Sequence, residues 1–435
     1  MNLKNIIVSP VTGIIAIALM SLAVMSCGGN TKRSVGAGEN AGQQLPAHID
    51  VASAIGSPSP INVSQLGSTL TFLPLETSDS SLIGEYAIFS LTRDKVIVNS
   101  QNAGVKAFSL ADGSYLNSIG HRGQDPEAYR ETHFLMDGPG DKLFFRGNGD
   151  GRWVRYATDG RFLGSFSREE RLKRMTPFVV CDTVMVYPIT NGVTDPDPYL
   201  SVAFVGESGA IIDSVAVVAR AATRTDSRSI AGNIEMEQYD GLMRHSMQNS
   251  AGFRIGDNPM VYVSTVAQLW RVGDGPLHAM MPFSDTIYEV GAGREPAPVA
   301  VMDFGGKGFP AVENGRREMS GDEYMLTDFI ETDGKIVFGT GRGWRRPETG
   351  LIGYYDKVTG VTRLTAAADG FTDDLSGFMP FYPVAATPDG SLVGVLTQED
   401  ILKWVEEHPD AAVPSALQPV IDSEEEPNPV LVIVK

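Results

Sequence analysis

Residues 105–120 read VKAFSLADGSYLNSIG, two β-rich runs joined by Asp112-Gly113. Asp-Gly is favoured in tight hairpin turns because glycine adopts a positive φ at little cost. Five similar units follow: WVRYATDGRFLGSF (153–166), SVAFVGESGAIIDSVAVV (201–218), DTIYEVGAGREPAPVAVMDF (285–304), IGYYDKVTGVTRLT (352–365) and PVAATPDGSLVGVLT (383–397). Recurrence of one hairpin pattern predicts an all-β fold built from a repeated unit.

Most of these hairpins have another apolar run before them. These runs are KVIVNS (95–100), KLFFRG (142–147), TVMVYP (183–188), MVYVST (260–265) and KIVFGT (335–340). Two inner strands followed by an outer hairpin is the order of a propeller blade. We therefore expect a six-bladed β-propeller of four-stranded antiparallel blades. The spacing exceeds the roughly 40 to 50 residues of compact propeller repeats, so we expect insertions at 219–258 and 306–328.

The two ends of the predicted domain carry strand-like runs that have no other partner. TLTFLPLET (69–77) lies near its start and NPVLVIVK (428–435) at its end. Because an open ring would leave bare strand edges, we expect the two runs to pair in one blade. One helix is also predicted, in TQEDILKWVEEHP (397–409), where Thr397 can cap the start and Asp400 follows three residues later.

The first 26 residues are typical of a signal peptide. The apolar run Ile14–Val24 is too short for a permanent membrane span. The following VMSCGG (24–29) resembles the bacterial lipobox, which implies cleavage before Cys27 and lipid on its thiol. Several acyl chains anchor a protein stably, since each buried methylene contributes about 0.8 kcal/mol. An ordinary secretory signal or a membrane helix is the alternative interpretation.

Composition changes again after Cys27. Residues 28–60 are rich in Gly, Ala, Ser and Asn without an apolar period. We therefore expect a flexible tether over 27–60 and the propeller domain over 61–435. Cys181 is the other cysteine, in the strand-like FVVCDTVMVY (178–187). With Cys27 acylated it has no disulfide partner, and its apolar surroundings indicate a structural thiol rather than a nucleophile.

The formal net charge is −18, and it is spread along the chain. A diffuse acidic surface disfavours nucleic acid as a partner and is ordinary for a large soluble domain. No His-Glu-x-x-His, Gly-x-Ser-x-Gly, Walker, Cys-x-x-Cys or EF-hand pattern is present. The sequence therefore indicates binding rather than catalysis, without identifying a ligand.

Two arginine-bearing segments are candidate ligand sites. Arg122, in a predicted connection between blades, can hold a carboxylate or sulfate bidentately. Arg342, Trp344, Arg345 and Arg346 combine three guanidinium groups with one indole, which suits an anionic sugar or a peptide carboxylate. The alternatives are that Arg122 only binds loop carbonyls and that the second segment is a solvated loop with a packed tryptophan.

No cofactor is predicted, although calcium is possible. Asp373-Asp374 and Asp195-Pro196-Asp197 offer carboxylate oxygens of the kind that calcium binds. Loop aspartates more often face water. The alternative to a non-catalytic binding or scaffolding role is a metal-dependent propeller hydrolase or lyase, with a cation in the central channel held by Asp, Glu and Asn from several blades.

Several segments together resemble a known family. They are LTFLPLETSDSSLIGE (70–85), SIGHRGQDPEAY (118–129), DTIYEV (285–290) and NPVLVIVK (428–435). This combination is similar to the six-bladed propeller lipoproteins of Bacteroides-type bacteria, related to the TolB-like propellers, over residues 61–435. The family's Gly-x-Gly-Pro-Gly-Glu-Tyr turn reads Gly-Gln-Asp-Pro-Glu-Ala-Tyr here, at 123–129.

The resemblance also bears on location. In lipoproteins of such bacteria, an acidic cluster soon after the acylated cysteine resembles an export signal to the cell exterior. Here Lys32 and Arg33 follow Cys27, and no acidic residue precedes Glu39. We therefore expect a lipid anchor in the cell envelope, on the outer membrane facing the periplasm. The expected partner is an envelope protein, peptide or glycan.

Overall fold

The structure, a computed structural model, describes residues 46–435 except 85–86, 101, 137–140, 150, 169–178, 182–183, 191–199, 207–209, 219–250, 254–260, 264–267, 274, 281–284, 309–323 and 343–349. Strands dominate this part of the chain. Among the helices described, none has the length and apolar character needed to cross a membrane.

The domain begins earlier than its composition suggests. The first elements are β1 (Ala47–Asp50), α1 (Val51–Ile55), a 3₁₀ turn (Val63–Gln65) and β2 (Leu70–Pro74). Ile49 and Val51 are fully buried. The Asp50 carboxylate accepts a hydrogen bond from the Ser53 backbone N–H (2.9 Å), which caps α1. The expected tether over 27–60 is therefore wrong from residue 46 onward, and residues 27–45 lie outside the described part.

Three sheets follow along the chain. Sheet 1 contains β3 (Ile88–Leu91), β4 (Lys95–Ser100), β5 (Gly104–Ser109) and β6 (Tyr115–Ser118). Sheet 2 contains β7 (Tyr129–Met136), β8 (Lys142–Gly147), β9 (Arg152–Ala157) and β10 (Phe162–Ser167). Sheet 3 contains β11 (Val179–Cys181), β12 (Val184–Thr190), β13 (Leu200–Val205) and β14 (Ile211–Val218). Each is an antiparallel meander in chain order.

The second half of the chain repeats this pattern with additions. A separate pair, β15 (Ala251–Phe253) and β16 (Val261–Val263), comes first. Sheet 4 contains β17 (Gln268–Arg271), β18 (Leu277–Met280), β19 (Thr286–Val290) and β20 (Ala297–Asp303), with β1 parallel to β20. Sheet 5 contains β21 (Tyr324–Glu331), β22 (Lys335–Arg342), β23 (Leu351–Asp356) and β24 (Thr362–Ala366).

Sheet 6 joins the two ends of the domain. It contains β25 (Ala385–Ala386), β26 (Leu392–Leu396) and β27 (Val430–Val434), completed by β2. The pairing of β2 with β27 is antiparallel, from Leu70 opposite Val434 to Pro74 opposite Val430. This confirms the predicted pairing of the two terminal runs.

The sheets pack face to face in order around a centre. Apolar clusters join sheet 1 to sheet 2, sheet 2 to sheet 3, sheet 4 to sheet 5, sheet 5 to sheet 6, and sheet 6 back to sheet 1. Strand β14 contacts β19, and first strands of neighbouring sheets contact one another, as in β7 with β11 and β25 with β3. First strands therefore converge at the centre, and the fold is a β-propeller.

In the described residues, five sheets are four-stranded antiparallel blades, and sheet 4 has a fifth strand because β1 adds to its outer edge. The run MVYVST is not an inner strand of that sheet, since β16 pairs with β15 instead. In sheet 6 the Asp389-Gly390 hairpin is the inner pair rather than the outer one. The expected insertion 306–328 also ends too late, because β21 begins at Tyr324.

The predicted helix is confirmed as α2 (Gln398–Glu407), which lies between β26 and β27. Thr397 and Asp400 form the expected reciprocal cap. The buried Ile401 packs with Leu417 and Val420 in the core of sheets 5 and 6. Those residues belong to a 3₁₀ turn (Ser415–Leu417) and to α3 (Gln418–Ile421).

The Asp-Gly turns have the backbone that the sequence predicts. Gly113 has a φ of +74°, and Gly160 and Gly390 are also in the left-handed region, as is Gly360 of the Thr359-Gly360 turn. A Cβ at Gly113 would lie 2.1 Å from the Pro74 carbonyl oxygen. Glycine at this turn therefore permits both the hairpin and the close approach of β2.

Candidate ligand-binding site

Arg122 and Arg342, the described arginines of the two candidate segments, are on one face of the ring. In an antiparallel meander of four strands, the links between sheets and the turn from second to third strand lie at the same end. We call this end the linker face. Arg122 is in the link from β6 to β7, and Arg342 ends β22, where the turn to β23 begins. Both side chains are exposed.

The link that carries Arg122, residues 121–128, is held by its own hydrogen bonds. The Asp125 carboxylate accepts from the backbone N–H groups of Glu127 and Ala128, both at 3.0 Å. It also bonds to the His121 ring at 2.7 Å. The hydrogen bond with His121 and those with the two N–H groups lower the pKa of Asp125. These bonds give Asp125 a structural role in the link.

Side chains in and next to sheet 2 also hold this link by hydrogen bonds to its carbonyl groups. Asn148 donates to the Gly123 carbonyl (2.7 Å), and the Tyr156 hydroxyl donates to the Glu127 carbonyl (2.6 Å). Arg152 donates to the Pro126 carbonyl. Within the described part of the chain, the Arg122 side chain makes no hydrogen bond or ion pair. The link thus presents a free guanidinium group on a rigid support.

Strand β7 is irregular next to this link. Tyr129 is opposite Gly147 and Phe134 is opposite Phe145, so residues 130–133 face the single residue Arg146. Bulges of this kind redirect side chains and are common beside functional sites. Because β7 is a first strand, the bulge lies on the central edge of sheet 2.

The bulge carries charged groups that influence one another. Arg130 forms an ion pair with Glu131 at 2.6 Å. This hydrogen bond, with the charges of Arg146 and Arg130, lowers the pKa of Glu131. Partial removal from bulk water, followed by the charge of Arg146, lowers the pKa of His133. Desolvation and the charge of Arg146 thus both disfavour the protonated form of His133.

Sequence reasoning missed two residues beneath Arg122, namely Asn99 and Tyr129. Tyr129 is buried, stacks on Phe145 with ring centroids 4.6 Å apart, and forms a backbone bridge with Arg122. Asn99 is buried on β4, and within the described part of the chain its side-chain oxygen has no hydrogen-bond partner. The detectable signal was a polar residue inside the apolar run KVIVNS, on the face that Ile97 shares.

The other predicted sites are either outside the described residues or structural. Cys27, Trp344, Arg345, Arg346, Asp195 and Asp197 lie outside them. Asp373 accepts from the backbone N–H groups of Leu375 (3.0 Å) and Ser376 (2.8 Å). Asp374 accepts from the backbone and hydroxyl of Ser64, at 2.9 and 2.5 Å. No group of three metal-ligating side chains is found among the described residues.

A second charged cluster joins sheets 4 and 5. The buried Glu331 carboxylate accepts hydrogen bonds from Trp270 Nε1 (2.6 Å) and Lys357 Nζ (2.6 Å), and it bonds to His278 Nδ1 (2.7 Å). Burial raises the pKa of Glu331, but the bonds from His278 and Lys357 outweigh it and lower the pKa to about 2. All partners belong to the chain itself, so the cluster is structural.

Replacing Glu331 with Gln should lower the free energy of unfolding by about 3 kcal/mol at pH 7. The pKa is lower in the folded state than its ordinary value of 4.5. The stabilisation is therefore complete above that pH and declines as the pH falls toward 2. Urea unfolding should show the difference between wild type and variant narrowing to about 1 kcal/mol at pH 3. Glu289→Gln, at a more exposed ion pair in sheet 4, is the control. A difference in unfolding free energy between wild type and the Glu331 variant that does not change with pH would contradict the lowered pKa of Glu331.

Comparison with known proteins agrees with the fold. A family model described as a domain of unknown function, DUF4934, matches residues 46–435. A structure from Bacteroides fragilis NCTC 9343, described as a candidate exported protein, has a TM-score of 0.58 and 18% identity, covering 90% of this chain and 99% of that one.

Two further structures are more distant. A DUF4221 member from Bacteroides vulgatus ATCC 8482 has a TM-score of 0.44 and 7% identity, covering 85% and 96% of the two chains. The β-propeller domain of Cps50 (Swd1) from Myceliophthora thermophila has a TM-score of 0.36 and 8% identity, covering 84% and 100%. No curated protein matches the chain.

Proposed function

The chain belongs to the DUF4934 family, described as a domain of unknown function, and on that premise we propose an envelope-anchored lipoprotein whose propeller binds an anionic ligand without catalysing a reaction. The exposed Arg122 side chain carries this proposal. It stands on a link whose other polar groups bond to one another and to sheet 2. The guanidinium can bind a carboxylate or sulfate through paired hydrogen bonds, and the fixed link restricts the conformational entropy lost on binding to that of the side chain.

We further propose that the ring has six blades, with sheet 4 as one of them. Strands β17 to β20 form an antiparallel meander like those of the other sheets, and β1 is an added outer strand. This count supports the resemblance to the six-bladed, TolB-like propeller lipoproteins. An experimental structure viewed along the central axis should show six lobes, and any other number would refute the count.

The alternative function is a metal-dependent hydrolase or lyase, which needs oxygen ligands converging from several blades. Asp373 and Asp374, two of the sequence candidates, already accept hydrogen bonds from neighbouring groups. We therefore expect that neither calcium nor EDTA changes the melting temperature of the purified protein. A rise in melting temperature with calcium, reversed by EDTA, would favour the metal-dependent alternative.

Cys27→Ser should release the protein from membranes, because the thiol is the proposed attachment point for lipid. Cell fractionation measures the shift from the membrane to the soluble fraction. Cys181→Ser is the matched control, since it removes the other cysteine and should leave fractionation unchanged. Retention of the Cys27 variant in the detergent-dependent fraction would contradict lipid anchoring.

Under the proposed periplasmic orientation, protease added to intact cells should leave the wild-type domain uncut.

Capture from detergent-solubilised envelopes tests the binding role. Arg122→Glu reverses the charge at the proposed contact. Arg161→Glu makes the same change in the turn from β9 to β10, at the end of sheet 2 away from the linker face. Wild type and the Arg161 variant should retain the same envelope component, whereas the Arg122 variant should lose it. Equal retention by all three proteins would refute a ligand contact at Arg122.

A further inference from the structure

Asn99 has an unsatisfied buried group beside Arg122. The residue is 6% exposed, and its carboxamide oxygen meets no donor among the described residues. An acceptor buried in this way costs about 1–3 kcal/mol. Native proteins seldom keep such a group unless a water or a ligand satisfies it. Asn99 therefore indicates a place where an external donor binds.

The register of sheet 1 places Asn99 toward sheet 2. Asn99 is opposite Val105 on β5, and Ile97 is opposite Ala107, so all four share one face. Ile97, Val105 and Ala107 pack against Tyr129 in the core between the two sheets. Asn99 thus belongs to the same face that Tyr129 covers.

Tyr129 connects this position with Arg122. Its hydroxyl is 3.5 Å from the point that a Cβ on Gly104 would occupy, and Gly104 is opposite Ser100, the residue after Asn99. The backbones of Arg122 and Tyr129 form a parallel bridge, and the Tyr129 N–H donates to the His121 carbonyl at 3.0 Å. Asn99, Tyr129 and Arg122 are consequently neighbours at the junction of sheets 1 and 2, on the linker face.

We propose that Asn99, Tyr129 and Arg122 form a subsite for a carboxylate that carries an N–H or O–H donor on a neighbouring atom. The inference rests on the proposed binding function and specifies its ligand. The Arg122 guanidinium binds the carboxylate oxygens, the Asn99 oxygen accepts from the adjacent donor, and the Tyr129 hydroxyl lies between them.

With the Asn99 carboxamide oriented as in the structure, its oxygen selects against sulfate and phosphate diesters. Such groups satisfy a guanidinium equally well, but they have only acceptor oxygens to present to the Asn99 oxygen. Two acceptors in contact repel each other, and an unpaired buried acceptor opposes binding. A peptide terminus and a uronic acid both supply the required pair of carboxylate and donor.

Calorimetric titration of the purified protein with four probes tests this chemistry. N-acetylglycine has a carboxylate and an N–H, D-glucuronate has a carboxylate and hydroxyls, acetate has no donor, and sulfate has no carboxylate. At least one of the first two should bind roughly three- to tenfold more tightly than acetate, the gain of one hydrogen bond. Preference between those two distinguishes a peptide source from a sugar source.

Substitutions then assign the contacts. Arg122→Gln should weaken binding about ten- to a hundredfold, and Tyr129→Phe about two- to tenfold. Asn99→Asp should weaken it at least tenfold, because it adds a like charge, while Arg161→Gln should have no effect. Thermal melting checks that each variant folds. If Asn99→Asp does not fold, Tyr129→Phe tests the subsite in its place.

The outcomes separate this subsite from the broader proposal. Arg122-dependent binding of sulfate without preference for the donor-bearing carboxylates would overturn the subsite and leave anion binding intact. Absence of saturable binding by all four probes would overturn the subsite, while envelope capture dependent on Arg122 would still support the proposed function. Failure of both experiments would reject the two together.

Discussion

A chain that ends at Pro429 is expected to lose cooperative folding, because the deletion removes the central contact of sheet 6. Strand β27 pairs with β2 on one side and with β26 on the other. Its five aliphatic side chains, Val430 to Val434, are all buried. At about 1.5–3 kcal/mol for each buried side chain, the loss is comparable to the total stability of a typical domain, about 5–15 kcal/mol. Thermal and urea unfolding monitored by circular dichroism measure the effect.

A matched pair of substitutions distinguishes core loss from a general effect of truncation. Leu431 is 0% exposed, whereas Leu116 on β6 is 44% exposed. Leu431→Ala should cost about 2–5 kcal/mol and Leu116→Ala less than about 0.5 kcal/mol. An unchanged melting midpoint in the truncated chain would show that β27 does not close the ring.

Ring closure and the helix α2 were predictable because each leaves a local signal. NPVLVIVK is an apolar run with no neighbour in sequence, so it needs a distant partner, and TLTFLPLET was the available one. Thr397 and Asp400 have the spacing of a reciprocal helix cap, and that geometry is local. Neither prediction depended on knowing the arrangement of the sheets.

The extra strand of sheet 4 and the strand order of sheet 6 leave no such local signal in the sequence. A parallel strand such as β1 has no hairpin to mark it, and it pairs with β20, more than 240 residues away. Its segment contains small residues, and only Ile49 and Val51 are fully buried there. In sheet 6, the Asp389-Gly390 turn has the chemistry of any hairpin, which does not reveal whether the pair is inner or outer.

The residues of the candidate site also differ in whether the sequence could identify them. Arg122 was identifiable because its link follows a strand and contains Asp-Pro turn residues. The importance of Asn99 depends on which partners its oxygen lacks, and that is a property of packed sheets rather than of sequence. The bulge at 130–133 likewise arises from the register of β7 on β8.

The second large effect is expected at the other end of the domain. A chain that begins at Ile61, the predicted domain start, should be about 3–6 kcal/mol less stable than one that begins at Pro46. The shorter chain lacks β1, α1 and the buried side chains of Ile49 and Val51. It also loses the hydrogen bond from the Ser59 N–H to the Leu364 carbonyl (2.9 Å) in sheet 5. Urea unfolding of both chains under identical conditions measures the difference.

Two neighbouring residues of β1 test whether packing is the cause. Ile49 is fully buried among Met280, Met302 and Phe304, so Ile49→Ala should cost about 2–5 kcal/mol. His48 points to solvent and pairs with Asp303 at 2.9 Å, and exposed pairs contribute about 0–1 kcal/mol. His48→Ala should therefore have little effect. Strand β1 pairs along the outer edge of sheet 4, whereas β2 completes sheet 6. The N-terminal segment therefore stabilises the ring through contacts other than the pairing of β2 with β27. Equal stability of the two chains would show that these contacts are dispensable.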